Sequence, residues 1–133
     1  MAPLCPRCRA DAVGFTIPES LRPYVPGETE FASLCRVCLT LDPLEEPPED
    51  DEPLSVVSEA IPDDADAAAT IAVIVGLLES LALNRRDIQE LIDRLETDGV
   101  DPLLVLDRLT ADPSLRPAID LERRVFQLGQ LLD

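Results

Sequence analysis

Apolar side chains recur at helical spacing through the second half of the chain, from about residue 63 onward. The run from Ala67 to Leu83 is aliphatic on nearly every side. A helix of this kind packs against several neighbours, so we expect it at the centre of the fold. Asp63 or Asp64 can cap its N-terminus, because a short carboxylate side chain accepts hydrogen bonds from the first free N–H groups of a helix.

A second helix follows, with apolar residues on one face only. That face is formed by Ile88, Leu91, Ile92 and Leu95, spaced i, i+3, i+4, i+7. Asn84 is predicted to cap its N-terminus, with Asp87 three residues later in the position of a capping box. Gly99 is predicted to end it, since glycine readily adopts the left-handed conformation that closes many helices.

Two further helices are predicted from aspartate–proline pairs and proline positions. Asp101 and Pro102 indicate an N-cap and first turn, with a helix from Leu103 to about Thr110. Pro117 is expected to open the last helix. The apolar face of that helix comprises Leu121, Val125, Leu128 and Leu132. Residues 63–133 are therefore predicted to form an all-α bundle of about four short helices.

The first part of the chain, residues 1–41, has the pattern of a small β unit instead. Strand-like stretches at Ala12–Ile17 and Phe31–Leu34 contain mixed β-branched and aromatic residues. Between them, residues 18–22 predict a short helical turn that begins with a proline. Two strands and one turn fit a compact unit of about 40 residues.

Residues 42–62 separate these two parts and are predicted to form an acidic, proline-rich linker. Five prolines and a dense run of carboxylates favour an extended, semi-stiff segment. Within it, residues 54–57 are apolar enough to pack on a neighbour as a short strand. Charge follows the same division: residues 1–40 sum to zero, residues 41–66 to −11 and residues 67–133 to −5.

The total charge of −16 over 133 residues comes from 27 acidic and 11 basic residues. Every basic residue is arginine, and the chain has no lysine or histidine. Acid excess without lysine is what we expect of a protein from a salt-saturated cytoplasm, where carboxylates hold hydration water. Residues 1–10 show no apolar signal-peptide core, and the apolar run Ala67–Leu83 is better interpreted as a buried helix than a membrane span. We therefore expect a cytoplasmic protein.

Four cysteines form the most specific motif in the chain. Cys5 and Cys8 make one C-x-x-C pair, and Cys35 and Cys38 make a second pair after 26 intervening residues. Zn²⁺ takes four thiolates at tetrahedral corners, and a two-residue gap lets one tight turn place two sulfurs on the same ion. The pattern predicts a zinc ribbon whose site is closed and structural, supplying folding free energy that so short a segment lacks.

Three other uses of these cysteines compete with a zinc site. Disulfides are disfavoured because cytosolic thiols stay reduced. A dithiol redox site is disfavoured because two matched pairs are present and neither lies in a βαβ pattern. Iron is the remaining alternative, since the same four thiolates hold it. Rubredoxin-like turns usually carry glycine after the second cysteine, whereas Arg9 and Leu39 stand there.

Missing residue types argue against an enzyme. Without histidine there is no imidazole base or triad, and without lysine there is no P-loop lysine or Schiff base. The densest carboxylates lie in the predicted linker, where nothing would shift their pKa values. We expect a protein-interaction module with no small-molecule substrate. The all-round apolar helix gives this weak support, because one side can also cover a partner or a second copy.

Nucleic-acid or ribonucleoprotein binding through the ribbon is the alternative function. Arg7, Arg9 and Arg36 lie in or beside the cysteine pairs of a segment with no net charge. The three aromatic candidates for base stacking are Phe15, Tyr24 and Phe31, although a small core is their more ordinary role. The acidity of the whole chain weakens phosphate binding.

Three stretches also carry a resemblance. They are Cys5-Pro6-Arg7-Cys8, residues 15–22 (FTIPESLR) and residues 34–39 (LCRVCL). Together they resemble a family of small uncharacterised haloarchaeal proteins with an N-terminal C-P-x-C zinc-ribbon element, mainly over residues 1–41. The resemblance implies zinc ligation by the four cysteines and a haloarchaeal cytoplasm, and it implies no reaction.

Overall fold

The computed structural model describes residues 3–49 and 52–132. Within those ranges the chain forms a three-stranded antiparallel sheet followed by four α-helices. The strands are β1 (Ala12–Thr16), β2 (Phe31–Cys35) and β3 (Leu41–Leu44). The helices are α1 (Ala65–Leu77), α2 (Leu81–Thr97), α3 (Pro102–Ala111) and α4 (Leu121–Leu131). The predicted order, a small β part and then about four helices, is confirmed.

The sheet has the order β1-β2-β3, and both pairings are antiparallel. Val13 faces Leu34 and Phe15 faces Ala32 across β1 and β2, so apolar side chains pair at adjoining positions. The predicted turn between the strands is a 3-10 helix, Glu19–Tyr24, followed by a second one at Pro26–Glu28. β2 then runs directly into the second cysteine pair, which lies in the turn before β3.

The predicted linker differs from expectation at both ends. β3 occupies its beginning and pairs with β2, because Leu41–Leu44 continues the chain back along β2 after the turn at the cysteines. Pro48 packs on the sheet so closely that a Cβ added to Gly14 would lie 2.5 Å from its Cβ. The expectation of a short strand at residues 54–57 is wrong: Leu54–Val56 is a 3-10 helix. Asp50 and Asp51 lie outside the described residues.

Later linker residues also belong to the fold. Leu54, Val57, Ala60 and Ile61 are buried in the same core cluster as the sheet and the helices. The 3-10 helix Leu54–Val56 contacts α1, so this part of the predicted linker packs on the central helix.

α1 is the central helix, as its all-round apolar pattern predicts. Every side chain from Ala67 to Val75 is buried, and the helix contacts α2, β3 and the 3-10 helices Glu19–Tyr24 and Leu54–Val56. Asp64 caps it by accepting a hydrogen bond from the Ala67 N–H at 3.0 Å.

The boundary between α1 and α2 lies earlier than predicted. α1 ends at Leu77, a 3-10 turn follows at Leu78–Ser80, and α2 begins at Leu81. The prediction that Asn84 caps α2 is wrong, because Asn84 lies inside the helix. Its Nδ2 donates to the Leu77 carbonyl at 3.0 Å. The side chain therefore provides a hydrogen-bond donor for a free carbonyl at the end of α1 and does not cap the start of α2.

Several other helix ends were predicted correctly. Gly99 has φ of 85° and follows the last turn of α2, as a left-handed terminator does. Asp101 caps α3 by accepting from the Leu104 N–H at 3.1 Å, with Pro102 in the first turn. α4, however, begins at Leu121 with Asp120 as its cap. The helix start predicted at Pro117 is therefore wrong by four residues.

The segment Ala65–Thr97, which joins α1 and α2, includes an apolar stretch that could cross a membrane by length and composition alone. The fold places 67% of that stretch in its interior. This burial is typical of a core helix, as expected from the sequence.

Candidate metal centre

The first cysteine pair lies in a tight turn, here called knuckle 1 (Cys5–Ala10). The Cys5 N–H donates to the Ala10 carbonyl at 2.8 Å, and the Arg9 N–H donates back to the Cys5 carbonyl at 3.0 Å. Arg9 adopts φ of 69°, in the left-handed region. An isolated bridge between Leu4 and Asp11 closes the turn.

The second pair lies in an equivalent turn, knuckle 2 (Cys35–Thr40), between β2 and β3. The Cys35 N–H donates to the Thr40 carbonyl at 3.0 Å, the same five-residue span that Cys5 makes with Ala10. Leu39 adopts φ of 62°, at the position that Arg9 holds in knuckle 1. Both knuckles therefore use the backbone conformation that glycine adopts most easily, although neither has glycine there.

The fold brings all four predicted ligands together. The Sγ atoms of Cys5, Cys8, Cys35 and Cys38 lie within 4.8 Å of one another. Across the knuckles, Cys5 Sγ is 3.5 Å from Cys38 Sγ and Cys8 Sγ is 3.4 Å from Cys35 Sγ. Sulfurs at the corners of a tetrahedron with metal–sulfur bonds of about 2.3 Å stand about 3.8 Å apart. The spacing of the sulfurs suits one metal ion.

Backbone N–H groups point at these sulfurs. Cys5 Sγ accepts from the Arg7 N–H at 3.3 Å, and Cys35 Sγ accepts from Val37 at 3.4 Å and Cys38 at 3.3 Å. The Thr40 hydroxyl lies 3.0 Å from Cys38 Sγ. Sequence reasoning missed Thr40, because nothing in the motif marks it as a neighbour of a sulfur. Such donors favour thiolate over thiol and orient it toward a metal.

The pKa values of two cysteines move in opposite directions. Burial acts to raise the pKa of Cys5, but hydrogen bonds from the Cys8 and Arg7 backbone and from the Cys38 and Cys35 side chains lower it to about 6. Burial raises the pKa of Cys35 to about 12, against the opposing backbone donors of Cys38 and Val37. A cation within the cluster stabilises all four thiolates at once, and its binding releases protons.

The donor set fits a closed metal site. Cys5, Cys35 and Cys38 are buried and Cys8 is exposed, and all four are free thiols. Four sulfurs complete a tetrahedral shell and leave no ligand position open, which is typical of structural sites. The four cysteines can therefore hold a metal ion.

The three arginines proposed for nucleic-acid binding lie near the cysteines but differ in their contacts. Arg7 pairs with Glu79 at 3.2 Å, and Arg36 pairs with Glu52 at 2.7 Å. Arg9 is exposed. Carboxylates therefore neutralise two of the three guanidinium groups in this structure.

The aromatic side chains of the same region lie against the core. Phe15 is buried, and Tyr24 is half-buried and packed against the core cluster. Phe31 is half-buried at the start of β2. This arrangement matches the ordinary role of a small aromatic core.

The connection between α3 and α4 docks on knuckle 2. The Arg116 N–H donates to the Val37 carbonyl at 2.7 Å, and the Ala118 N–H donates to the Cys38 carbonyl at 3.0 Å. Residues 116–118 are held on the knuckle by these two backbone hydrogen bonds and are not helical, so the helix start predicted at Pro117 is absent. The only sequence signal for this contact is Pro117 itself, since proline and the residue before it favour extended backbone.

One comparison with known proteins gives a match. The model of a family described as a family of unknown function, DUF6276, matches residues 4–132. No curated protein and no solved structure matches the chain. The matched range covers the sheet and all four described helices, well beyond the residues 1–41 on which the resemblance in the sequence mainly rested.

Proposed function

We propose that this chain, which belongs to the DUF6276 family of unknown function, is a non-enzymatic zinc-ribbon protein acting as a protein–protein interaction module. The observation that carries this proposal is the convergence of four cysteine sulfurs within 4.8 Å of one another. Four thiolates saturate Zn²⁺ and leave no position for a substrate or a reactive water. The ion's role is to hold two distant knuckles together.

Zinc is proposed in preference to iron, although a tetrahedral set of four thiolates holds either. Four-cysteine sites with C-x-x-C spacing are characteristic structural zinc sites. Mass spectrometry of the purified chain under native conditions tests this directly. One zinc per chain is expected, and the Cys35→Ser variant should carry none. Chain without metal, or a visible absorption band with one iron per chain, would contradict the assignment.

Exposed apolar side chains support the interaction role. Leu83 is 87% exposed, Phe126 is 67% exposed and Leu104 is 54% exposed. Phe126 is the largest of the three, and we propose that it contacts a partner or a second copy. We place this activity in the cytoplasm, where free thiols remain reduced and available to metal.

Molar mass in solution and protein capture test the interaction role. The zinc-loaded chain is measured by light scattering at high salt, and a tagged form is used to recover partners. An oligomer, or a partner that is lost when Phe126 is changed to Ser, is expected. A monomer that recovers no protein would argue against this role.

Nucleic-acid binding is less well supported, because Arg7 and Arg36 are paired with carboxylates and the chain carries a charge of −16. Titration of RNA into the zinc-loaded chain at reduced salt decides between the two functions. Counterion release makes phosphate binding strongest under that condition. Tight binding that falls when Arg9 is changed to Ala would favour the alternative.

A further inference from the structure

A cavity of about 470 Å³ adjoins the metal centre. Knuckle 2, residues 23–26, the end of α1, the start of α2 and the segment before α4 line it. Its apolar lining includes Leu39, Leu41, Leu77, Ile119 and Leu121. This volume falls within the range of about 300–1,000 Å³ typical of ligand sites.

Asp87 contributes a carboxylate to this lining. It is half-buried, and its carboxylate makes no hydrogen bond and no ion pair with the part of the chain that the structure describes. The other two charged residues of the lining, Arg7 and Glu79, neutralise each other at 3.2 Å. An unpaired carboxylate beside apolar walls can accept hydrogen bonds from a cationic group that an occupant brings.

We propose that the cavity receives an arginine side chain carried by an apolar segment of a partner protein, with its guanidinium group paired to Asp87. Leucine-like neighbours of that arginine would cover the apolar walls. Tyr24 also lines the cavity, and a guanidinium group stacks favourably on an aromatic ring. The net charge of −16 attracts a basic segment at long range. This inference rests on the proposed interaction function and specifies its site.

The metal centre holds two walls of the cavity. Cys38, Leu39 and Thr40 of knuckle 2 line it directly. The wall at Ala118 is fastened to that knuckle, since the Ala118 N–H donates to the Cys38 carbonyl at 3.0 Å. Removal of the metal should therefore weaken arginine binding as well as the knuckle itself.

Peptide titration of the zinc-loaded full chain, followed by ¹⁵N NMR, tests the proposal. The probe is a capped Leu-Arg-Leu tripeptide, and its control replaces arginine by citrulline, which has the same shape and no charge. We expect amide shifts at residues 84–88, 118 and 119. Affinity for the citrulline peptide should be lower by about tenfold or more, as for loss of a charge-assisted hydrogen bond. Equal affinities, shifts elsewhere or no binding at millimolar peptide would overturn the proposal.

Three variants locate the interaction. Asp87→Asn should remove the preference for arginine over citrulline, whereas Asp93→Asn, an exposed carboxylate on the same helix, should keep it. Ala118→Phe should weaken the binding of both peptides, because the larger side chain fills the cavity. Ala118 is exposed and its bond to Cys38 uses the backbone, so this variant should fold. A preference that survives in Asp87→Asn contradicts the assignment of Asp87.

The two proposals fail in different ways. If the chain captures a partner equally well with Asp87→Asn and Ala118→Phe, this cavity is not the docking site and the interaction function stands. If the peptides bind as described but the chain captures no protein, the cavity recognises arginine and the interaction function fails.

Discussion

Arg9 and Leu39 occupy equivalent left-handed positions in the two knuckles but differ in burial. Leu39 is 4% exposed, whereas Arg9 is exposed to solvent. A side chain in this region costs about 1–2 kcal/mol relative to an ordinary conformation. Burying a leucine contributes about 1.5–3 kcal/mol, which offsets that strain at residue 39. Arg9 has no buried side chain to compensate for its conformation.

Arg9→Gly should therefore stabilise the zinc-loaded protein by about 1 kcal/mol, because glycine adopts φ near 69° without a Cβ clash. Denaturant unfolding at fixed zinc concentration measures this change. Arg85→Gly is the matched control, since it removes an exposed arginine from the interior of α2. It should destabilise the protein by about 1 kcal/mol. If Arg9→Gly lowered the free energy of unfolding, as Arg85→Gly should, Arg9 would not be strained.

Asp112 makes stability sensitive to acid. Its carboxylate accepts from the Ser114 hydroxyl at 2.6 Å, the Ser58 hydroxyl at 2.7 Å and the Ser114 N–H at 2.9 Å. These hydrogen bonds hold the pKa of Asp112 below its usual 3.8. A lowered folded pKa gives stability that is present above the unfolded pKa and lost as pH falls through the folded pKa.

This carboxyl group makes the free energy of unfolding rise with pH in the region below about pH 4. Asp112→Asn should therefore reduce that rise. Urea unfolding of the wild type and the variant across that range measures the difference between their slopes. Metal release in acid affects both proteins, so the difference isolates this carboxyl group. Asp107→Asn, an exposed change on α3, should retain the wild-type slope. Parallel curves for wild type and Asp112→Asn would contradict the expectation.

At the scale of elements, features set by local signals could be predicted from the sequence, whereas features set by long-range contacts could not. Gly99, Asp101 and Asp64 act through bonds to residues nearby in sequence, so their roles could be predicted. β3 could not, because Pro43 and the surrounding acids disfavour a strand, and only pairing with β2 defines it. Asn84 is similar: its amide bonds a carbonyl seven residues earlier instead of capping its own helix.

α1 approaches β3 closely at Gly76. A Cβ added to Gly76 would lie 3.0 Å from Leu41 Cδ2 and 3.3 Å from Leu41 Cβ. These distances are shorter than ordinary van der Waals contact, and the Leu41 backbone is held by its pairing with Leu34. Gly76 therefore sets the distance between the central helix and the sheet.

Comparison of Gly76→Ala with Gly129→Ala measures that packing. Alanine is favoured over glycine inside a helix by about 1 kcal/mol, and a Cβ on Gly129 meets no atom within 4 Å. Gly129→Ala should therefore stabilise the protein by about that amount. Gly76→Ala should instead destabilise the protein, because the contact with Leu41 outweighs the gain in helix propensity. Denaturant unfolding measures both changes. Equal stabilisation by the two changes would mean that β3 can move away freely.

At the scale of the molecule, the sheet and the helices share one core. The same cluster of buried side chains includes Val13 and Leu34 from the sheet and Ile74 and Leu106 from the helices. The clustering of the four cysteines was predictable because C-x-x-C spacing is a local requirement of the turn. The docking of residues 116–118 on knuckle 2 was not, because it joins backbone groups almost 80 residues apart and leaves no side-chain pattern.

Removal of the metal should therefore destabilise the fold beyond the two knuckles. With free zinc a thousandfold above its dissociation constant, binding adds about 4 kcal/mol to the free energy of unfolding. A strong chelator should lower the thermal midpoint by a corresponding amount, and the loaded protein should unfold in a single transition because its core is shared.

Hydrogen exchange shows where that stabilisation acts. The amides of Arg116 and Ala118 donate to the carbonyls of Val37 and Cys38, so chelation should speed their exchange together with that of the knuckle amides. Amides in the middle of α1, which bond within their own helix, should change less under conditions where the apo chain remains folded. Cys8→Ser should reproduce the chelated pattern without chelator. Unchanged exchange at residues 116 and 118 after complete metal loss would show that the knuckle holds its shape, and the docked segment, without the ion.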